Sequence, residues 1–398
     1  MTTFGQLASA GVLEYSDGYR TKKDELAEDG FRILRVADVH DGWIGSDGQD
    51  FVDSHYESKV GQKFAREGDI LLTTKGTIGR IAVVPDLAGE RLVYSPQLCY
   101  FRVRNSDVLD ASYLRYWLAS PNATRQIGAL SSSTDMAPYL SLRDIRTLQI
   151  DLPGLPVQRA ISDVLGALDD KINANRTVGS RLRDLQAALW VKEARTLPRA
   201  ALIELAPPKL GGTPSRSNPD LWGGGVPWAS VRDMTAADFG VVLSTAETIA
   251  ANSGQPDRLR PVPAGTVYIT ARGTVGRVAT AGVDCAFNQS AYAFVPPPGK
   301  SAALRLVIEG AVADLVARAH GSVFSTITTS TLADVVVPDI CNVAATEMTR
   351  KLEMLEGRVL AALKENVVLA RTRDELLPLL MNGRITVKDA EKVAENVL

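Results

Sequence analysis

The stretch "GDILLTTKGTIGR", Gly68 to Arg80, returns 197 residues later as "GTVYITARGTVGR", Gly265 to Arg277. Gly68, Thr73, Gly76, Thr77, Gly79 and Arg80 recur as Gly265, Thr270, Gly273, Thr274, Gly276 and Arg277, with Ile70/Val267 and Lys75/Arg272 as near matches. A chain that repeats itself in this way folds as two copies of one frame, so the repeat limits the architecture before any single element is assigned. The rest of the sequence keeps the same order. "FRILRVADVHDG" (Phe31 to Gly42) lies 195 residues ahead of "VPWASVRDMTAA" (Val226 to Ala237), setting Asp38 against Asp233. "SPQLCYFRV" (Ser95 to Val103) corresponds to "NQSAYAFV" (Asn288 to Val295), with Gln97 matched to Gln289 across a short deletion. Each half closes on a β-rich segment, "RTLQIDLP" ending at Pro153 and "LADVVVP" ending at Pro338.

Beyond each of these prolines, glycine and β-branched residues give way to long alanine- and leucine-rich stretches, the texture of extended helices. In the first, Ile161, Leu165, Leu168, Ile172, Asn175, Gly179, Leu182, Gln186 and Leu189 step by alternating four and three residues, which is a heptad seam. The same seam recurs 187 residues on, through Met348, Leu352, Leu355, Val359, Ala362, Asn366, Leu369, Arg373 and Leu376. A shared register favours pairing of the two helices with each other, although two amphipathic helices packed on separate domains meet the same pattern. Helices leaving equivalent domains pair antiparallel about a pseudo-twofold axis, which predicts an elongated dumbbell. The expectation is an α+β protein of two mixed α/β domains joined by an antiparallel coiled coil. Each helix, at about 30 to 35 residues, would reach roughly 50 Å, or about 15 base pairs of B-DNA. Pro378 is expected to kink or end the second helix, leaving the following leucines to close the core or to meet a partner.

Composition narrows the function classes. In 398 residues, 45% hydrophobic and 23% charged, no apolar run is long enough to span a bilayer, and the first residues lack a basic, apolar leader, so a cytoplasmic protein without membrane contact is expected. Cys99, Cys285 and Cys341 have no paired spacing and read as buried small hydrophobes; His40, His55 and His320 form no metal-binding pattern. Neither a metal nor a cofactor is expected. "SNPDLW" (Ser217 to Trp222) has Asp220 where an adenine methyltransferase needs its second proline, and reads as a turn. "TKGTIGR" lacks the spacing of a phosphate-binding loop and runs into strand-like "IAVV". The net charge of −2 is not that of a protein that holds nucleic acid by global charge, so any basic surface must be local.

Four stretches carry a resemblance to a known family: "GDILLTTKGTIGR", "LGGTPSRSNPDLWGGGVPWASVRDM" (Leu210 to Met234), the Asn288–Gln289 pair, and "TRDELLPLLMNGRITV" (Thr372 to Val387). Together with the repeat they resemble the specificity subunits of Type I restriction-modification enzymes. The resemblance implies target recognition domains at 1–153 and 198–339, a central spacer helix at 154–197, and a C-terminal spacer helix and tail at 340–398. It implies that each domain reads one part of a split site in double-stranded DNA, while the helices set the spacing and dock two methyltransferase (M) subunits. Where the complex also cleaves, two motor-nuclease (R) subunits are further partners. The chain itself is then non-catalytic. A coiled-coil scaffold with two protein-binding domains is the rival from another class, and an enzyme with an unrecognised site is a third.

The repeated stretch reads as a strand followed by a tight turn in which Gly76 and Gly79 permit positive φ. Glycine-turn amides flanked by cations suit DNA phosphates, which are the same in both half-sites. The expected DNA-binding residues are Thr73, Lys75, Gly76, Thr77, Gly79, Arg80 and Gln97 in the first half, and Arg272, Gly273, Thr274, Gly276, Arg277, Asn288 and Gln289 in the second. The amides suit adenine edges, or backbone groups of their own loops. A hairpin turn with merely solvated cations fits the same residues. Base readers should differ between the halves, which directs attention to Tyr15–Lys23, Ser131–Tyr139, Ser215–Asn218 and His320–Ser330. Trp222 and Trp228 suit stacking on a base or packing within the second domain.

Overall fold

The computed structural model describes residues 1–45, 48–131, 138–251, 257–319 and 326–398. It divides into two compact units, Met1–Asp170 with Leu369–Leu398, and Lys171–Val368.

The first unit contains seven strands that frame the site: β1 (Leu13–Asp17), β2 (Phe31–Leu34), β3 (Phe51–Val52), β4 (Ile70–Thr73), β5 (Ile81–Val83), β6 (Leu92–Tyr94) and β7 (Leu98–Val103). One sheet has the order β1-β7-β4-β5 and is antiparallel throughout; in a second, β2 lies between parallel β6 and antiparallel β3. The second unit repeats the plan with β8 (Pro208–Leu210), β9 (Gly225–Ala229), β10 (Glu247–Ala250), β11 (Val267–Thr270), β12 (Val278–Ala281), β13 (Ala286–Phe287) and β14 (Ala291–Phe294). Here β8-β14-β11-β12 form one sheet and β9 lies between β13 and β10. The apolar runs of β4 and β11 are buried on both faces, which explains why neither alternates with polar residues. Asp38 and Asp233 do the same local work, accepting from the backbone N–H of Arg35 at 2.7 Å and of Ser230 at 2.8 Å, and so close the turn after β2 and β9. The closing segments form strands Gln149–Ile150 and Val336–Pro338, paired with Thr2–Thr3 and Arg199–Ala201.

The two long helices span Leu155–Glu193, 39 residues, and Thr346–Met381, 36 residues. In the first unit, Ile161, Leu165 and Leu168 of one helix and Leu369 and Leu376 of the other are buried; in the second, Ile172, Met348, Leu352 and Val359 are buried. Each such side chain contributes about 1.5–3 kcal/mol on burial. Leu182 and Leu355, expected in the same seam, are only half-buried. The polar seam positions are paired across the helices. Asn175 Nδ2 donates to Asn366 Oδ1 at 2.9 Å, and Gln186 Nε2 to the Leu352 carbonyl at 3.1 Å, partners whose numbers rise on one helix as they fall on the other. The pair is antiparallel, as the fold expected from the sequence requires.

Each unit buries a carboxylate at this seam. Asp169 accepts from Arg115 Nη2 at 2.6 Å, Tyr116 Oη at 2.8 Å and Arg373 Nη1 at 2.6 Å. Glu356, 187 residues later, accepts from Arg183 Nη2 at 3.0 Å and Gln186 Nε2 at 2.9 Å, with Arg305 at 3.8 Å. Burial works to raise both carboxyls, but the arginines outweigh it and hold each below its ordinary value.

Two expectations need correction. The second helix does not end at Pro378 but continues to Met381 and turns at Gly383, whose φ is 68°. A proline in the last turn forfeits only one intrahelical bond, which the surrounding packing outweighs. Leu376, Leu377 and Leu380 are buried in the first unit's own core. Cys341 is exposed, unlike Cys99 and Cys285.

Asp169→Ala, which strands Arg115 and Arg373, should cost about 3 kcal/mol by denaturant titration at neutral pH. Because the Asp169 carboxyl is depressed, its contribution is present above its ordinary value of 3.8 and is lost as pH falls through the lower folded value. The Asp169→Asn melting temperature should therefore fall less steeply than that of the parent chain between about pH 5 and pH 3; parallel acid limbs would refute this assignment.

Candidate nucleic-acid interface

The duplicated stretch builds the same turn twice, between β4 and β5 and between β11 and β12. Gly79 N–H donates to the Thr73 carbonyl at 3.0 Å, and Thr73 N–H to the Arg80 carbonyl at 3.1 Å. The Thr73 hydroxyl donates to the Thr77 carbonyl at 2.5 Å and accepts from Arg80 N–H at 3.0 Å. In the second unit Gly276 donates to the Thr270 carbonyl at 2.8 Å, and the Thr270 hydroxyl accepts from Arg277 N–H at 2.9 Å while donating to the Thr274 carbonyl. Gly76 and Gly79 have φ of 72° and 98°, Gly273 and Gly276 of 76° and 85°. These angles, rather than close packing, demand glycine at Gly76, Gly79 and Gly273, where an added Cβ would meet open space.

Thr73 and Thr270 are fully buried, so they shape the turn from beneath. Lys75, Gly76, Thr77 and Gly79 are exposed at its surface, as are Arg272, Gly273, Thr274 and Arg277, while Arg80 and Gly276 are half-buried. Arg80 Nη1 donates to the Val39 carbonyl at 3.0 Å, tying the turn to the hairpin after β2. Lys75 Nζ lies 5.3 Å from the centre of the Tyr139 ring and has no acidic partner among the described residues, and the same lack holds for Arg272 and Arg277. Each turn thus offers backbone amides and uncompensated cations on one surface.

The sequence match of Gln97 with Gln289 is overturned by the strand register. Leu98 lies opposite Thr73 and Ala291 opposite Thr270, and the carbonyls of Gln97 and Ser290 accept from Thr74 and Ala271 at 2.8 and 2.7 Å. Gln97 is therefore the counterpart of Ser290, Pro96 of Gln289 and Ser95 of Asn288, with the expected short deletion in the second copy lying between Arg277 and Asn288. The amides also differ in freedom. Asn288 Oδ1 accepts from Ser290 N–H at 3.1 Å within its own loop, and Gln289 Oε1 accepts from the hydroxyl of Thr213 in the segment after β8, so both are engaged within the fold. Gln97 instead lines a cleft with Arg20, Arg35, Lys75 and Ser95. Arg20 falls in the divergent segment Tyr15–Lys23, whereas Arg35 was missed from sequence because its counterpart in the repeat, Ser230, carries no charge.

Among the divergent segments, Ser215–Asn218 is held in place: Arg216 stacks 3.7 Å from the Trp222 ring centre and forms an ion pair with Glu247 at 2.5 Å. Trp228 is 4% exposed and its Nε1 donates to the Gly212 carbonyl at 2.9 Å, which makes it a packing residue. Most of Ser131–Tyr139 and of His320–Ser330 lies outside the described residues. Among the described residues no cluster of His, Cys, Asp and Glu is arranged to hold a metal, and no helix is long and apolar enough to cross a membrane.

Residues 8–179 match a family described as the Type I restriction modification DNA specificity domain. This part of the chain is similar to such a domain. The chain is 27% identical over 173 residues to the Type I restriction enzyme MjaVIII specificity subunit of Methanocaldococcus jannaschii, covering 42% of this chain and 39% of that one. It is 26% identical over 140 residues to the EcoBI specificity subunit of Escherichia coli, covering 34% of this chain and 27% of that one. The matches thus span well under half the length of these relatives. The Type I S subunit from M. genitalium has the same fold, with a TM-score of 0.53 at 16% identity over 95% of both chains. The first of the twin turns, Thr73 to Arg80, falls inside the matched residues.

Thr73→Val should leave the Arg80 N–H without its side-chain acceptor and cost about 1–3 kcal/mol. Faster amide exchange at Gly79 and Arg80 should accompany that loss; unchanged exchange would show that the hydroxyl does not hold the turn.

Proposed function

We propose that this chain is the DNA-specificity subunit of a Type I restriction-modification complex, non-catalytic in itself. Each unit reads one half of a bipartite site in double-stranded DNA, and the paired helices set the spacing and carry two methyltransferase subunits; motor-nuclease subunits join where the complex also cleaves. The observation that carries this reading is the twin turn: the same exposed amides and cations, on the same buried threonine, in two units whose other surface residues have diverged. A common ligand explains what was kept. The phosphate backbone is common to both half-sites, and it positions a protein without specifying sequence. The matched DNA specificity domain and the named specificity subunits support the same conclusion. A net charge of −2 confines the phosphate contacts to these local surfaces and to partner subunits.

Lys75→Ala and Arg272→Ala should each weaken binding to all duplexes alike and reduce the slope of log affinity against log salt by about 1; unchanged binding in the assembled complex would remove the turns from the interface. Sequencing of modified bases, in cells with and without this chain beside its methyltransferase, should reveal a split, asymmetric methylated motif that disappears on deletion. A motif independent of the chain would favour the scaffold reading. Inserting one heptad into both helices should lengthen the spacer of that motif, whereas insertion into one should abolish assembly.

A further inference from the structure

The cleft beside the first turn has a volume of about 370 Å³ and a neutral floor. Ser95 lines it at 1% exposure, yet its Oγ has no hydrogen-bond partner among the described residues, and neither has Thr21 Oγ1. Buried hydroxyls without partners are uncommon in folded proteins and require an explanation. Gln97 gives its backbone carbonyl to Thr74 and leaves its amide as a lining group. The rim is cationic: Arg20 and Lys75 are exposed and have no acidic partner among the described residues, while Arg35 is paired with Asp50.

We infer that this cleft reads a base of the half-site bound by the first unit, with Ser95, Thr21 and Gln97 hydrogen-bonding the base edge and Lys75 holding an adjoining phosphate. The inference rests on the DNA-specificity reading above. Its chemistry follows from the floor. Hydroxyls and an amide both donate and accept, as a base edge does, whereas a phosphate only accepts. The two copies separate the roles independently. Gly18 and Gly211 occupy equivalent positions, since a Cβ on the first would meet the Tyr94 and Ser95 carbonyls and on the second those of Phe287 and Asn288. Counting from them, Thr21 has Pro214 as its counterpart, and the strand register gives Ser95 Asn288, Gln97 Ser290 and Ile33 Trp228. The neutral floor has therefore changed at Thr21, Ile33, Ser95 and Gln97, and Trp228 occupies the place of the much smaller Ile33. Of the three rim cations only Lys75, on the twin turn, has a cationic counterpart, Arg272; Arg20 and Arg35 have Thr213 and Ser230 and diverge with the floor. Groups that serve a common backbone are retained, and groups that serve a particular sequence diverge.

The test is selection of duplexes from a randomised library by the chain assembled with its methyltransferase subunits, comparing the parent with Ser95→Ala and Gln97→Ala. Because the Ser95 hydroxyl has no partner among the described residues, Ser95→Ala should melt at the parental temperature, which keeps a change in selection from being a folding defect. Both variants should relax preference at one or two adjacent positions of a single half-site, by roughly tenfold, with the other half-site and the salt slope unchanged. A parental motif retained in both variants overturns the inference while leaving the DNA-specificity reading intact. Uniform weakening for all duplexes with a shallower salt slope identifies a phosphate site and overturns it as well. If the parental assembly selects no sequence, the functional reading fails, and the inference falls with it.

Discussion

A carboxylate buried at the helix seam fixes the register on which each unit depends. A heptad seam of leucine and isoleucine alone tolerates sliding by one repeat, because every apolar side chain finds another apolar partner. Asp169 and Glu356 do not tolerate it. A buried charge separated from its partners is far more costly than a lost apolar contact, so displacement of Arg373 from Asp169, or of Arg183 from Glu356, carries a penalty that hydrophobic repacking cannot offset. Each acid also draws in a third element, the helix Ala111–Ala119 through Arg115 or the helix Ser301–Ala319 through Arg305.

Those helices connect the seam to the candidate interface. Ala111–Ala119 packs on β5, and Ser301–Ala319 on β11 and β12, the strands that carry the twin turns. The turns are therefore supported by a continuous path of packed elements within each unit, beginning at the buried acid and ending at Thr73 or Thr270. The threonine completes the path by fixing the turn's carbonyls and the N–H of its last arginine from below. Amides held in this way lose little conformational freedom on meeting a ligand, which is the advantage of placing a binding turn on a rigid scaffold.

Much of this was legible in the sequence, for physical reasons that differ by element. The seam could be read because heptad periodicity reports burial directly, even at Asn175 and Asn366, whose polar side chains pair across it. The turn could be read because positive φ restricts it to glycine. The register of Gln97 could not be read, because chemical similarity to Gln289 is a weaker constraint than the ladder that sets Leu98 opposite Thr73. Pro378 misled because its cost depends on how much helix follows it. Arg115 and Arg305 were hidden for another reason: each acts through a contact far along the chain, with Asp169 or Glu356, and no local pattern marks it.

Duplication makes the chain its own control. Two copies that bind the same kind of ligand share the constraint imposed by what is invariant in that ligand, and they are free to diverge where it varies. For duplex DNA the invariant part is the charged backbone and the variable part is the neutral base edge. This division predicts conservation of the turn's geometry and of its cations with divergence of the surrounding groups, and Lys75/Arg272 on the turn against Ser95/Asn288, Gln97/Ser290, Arg20/Thr213 and Arg35/Ser230 around it follows it. A scaffold that binds two proteins has no such partition between charge and polarity, because both vary together from one protein surface to another. The pattern of divergence, more than the presence of any one motif, is what favours a nucleic-acid ligand for the twin turns.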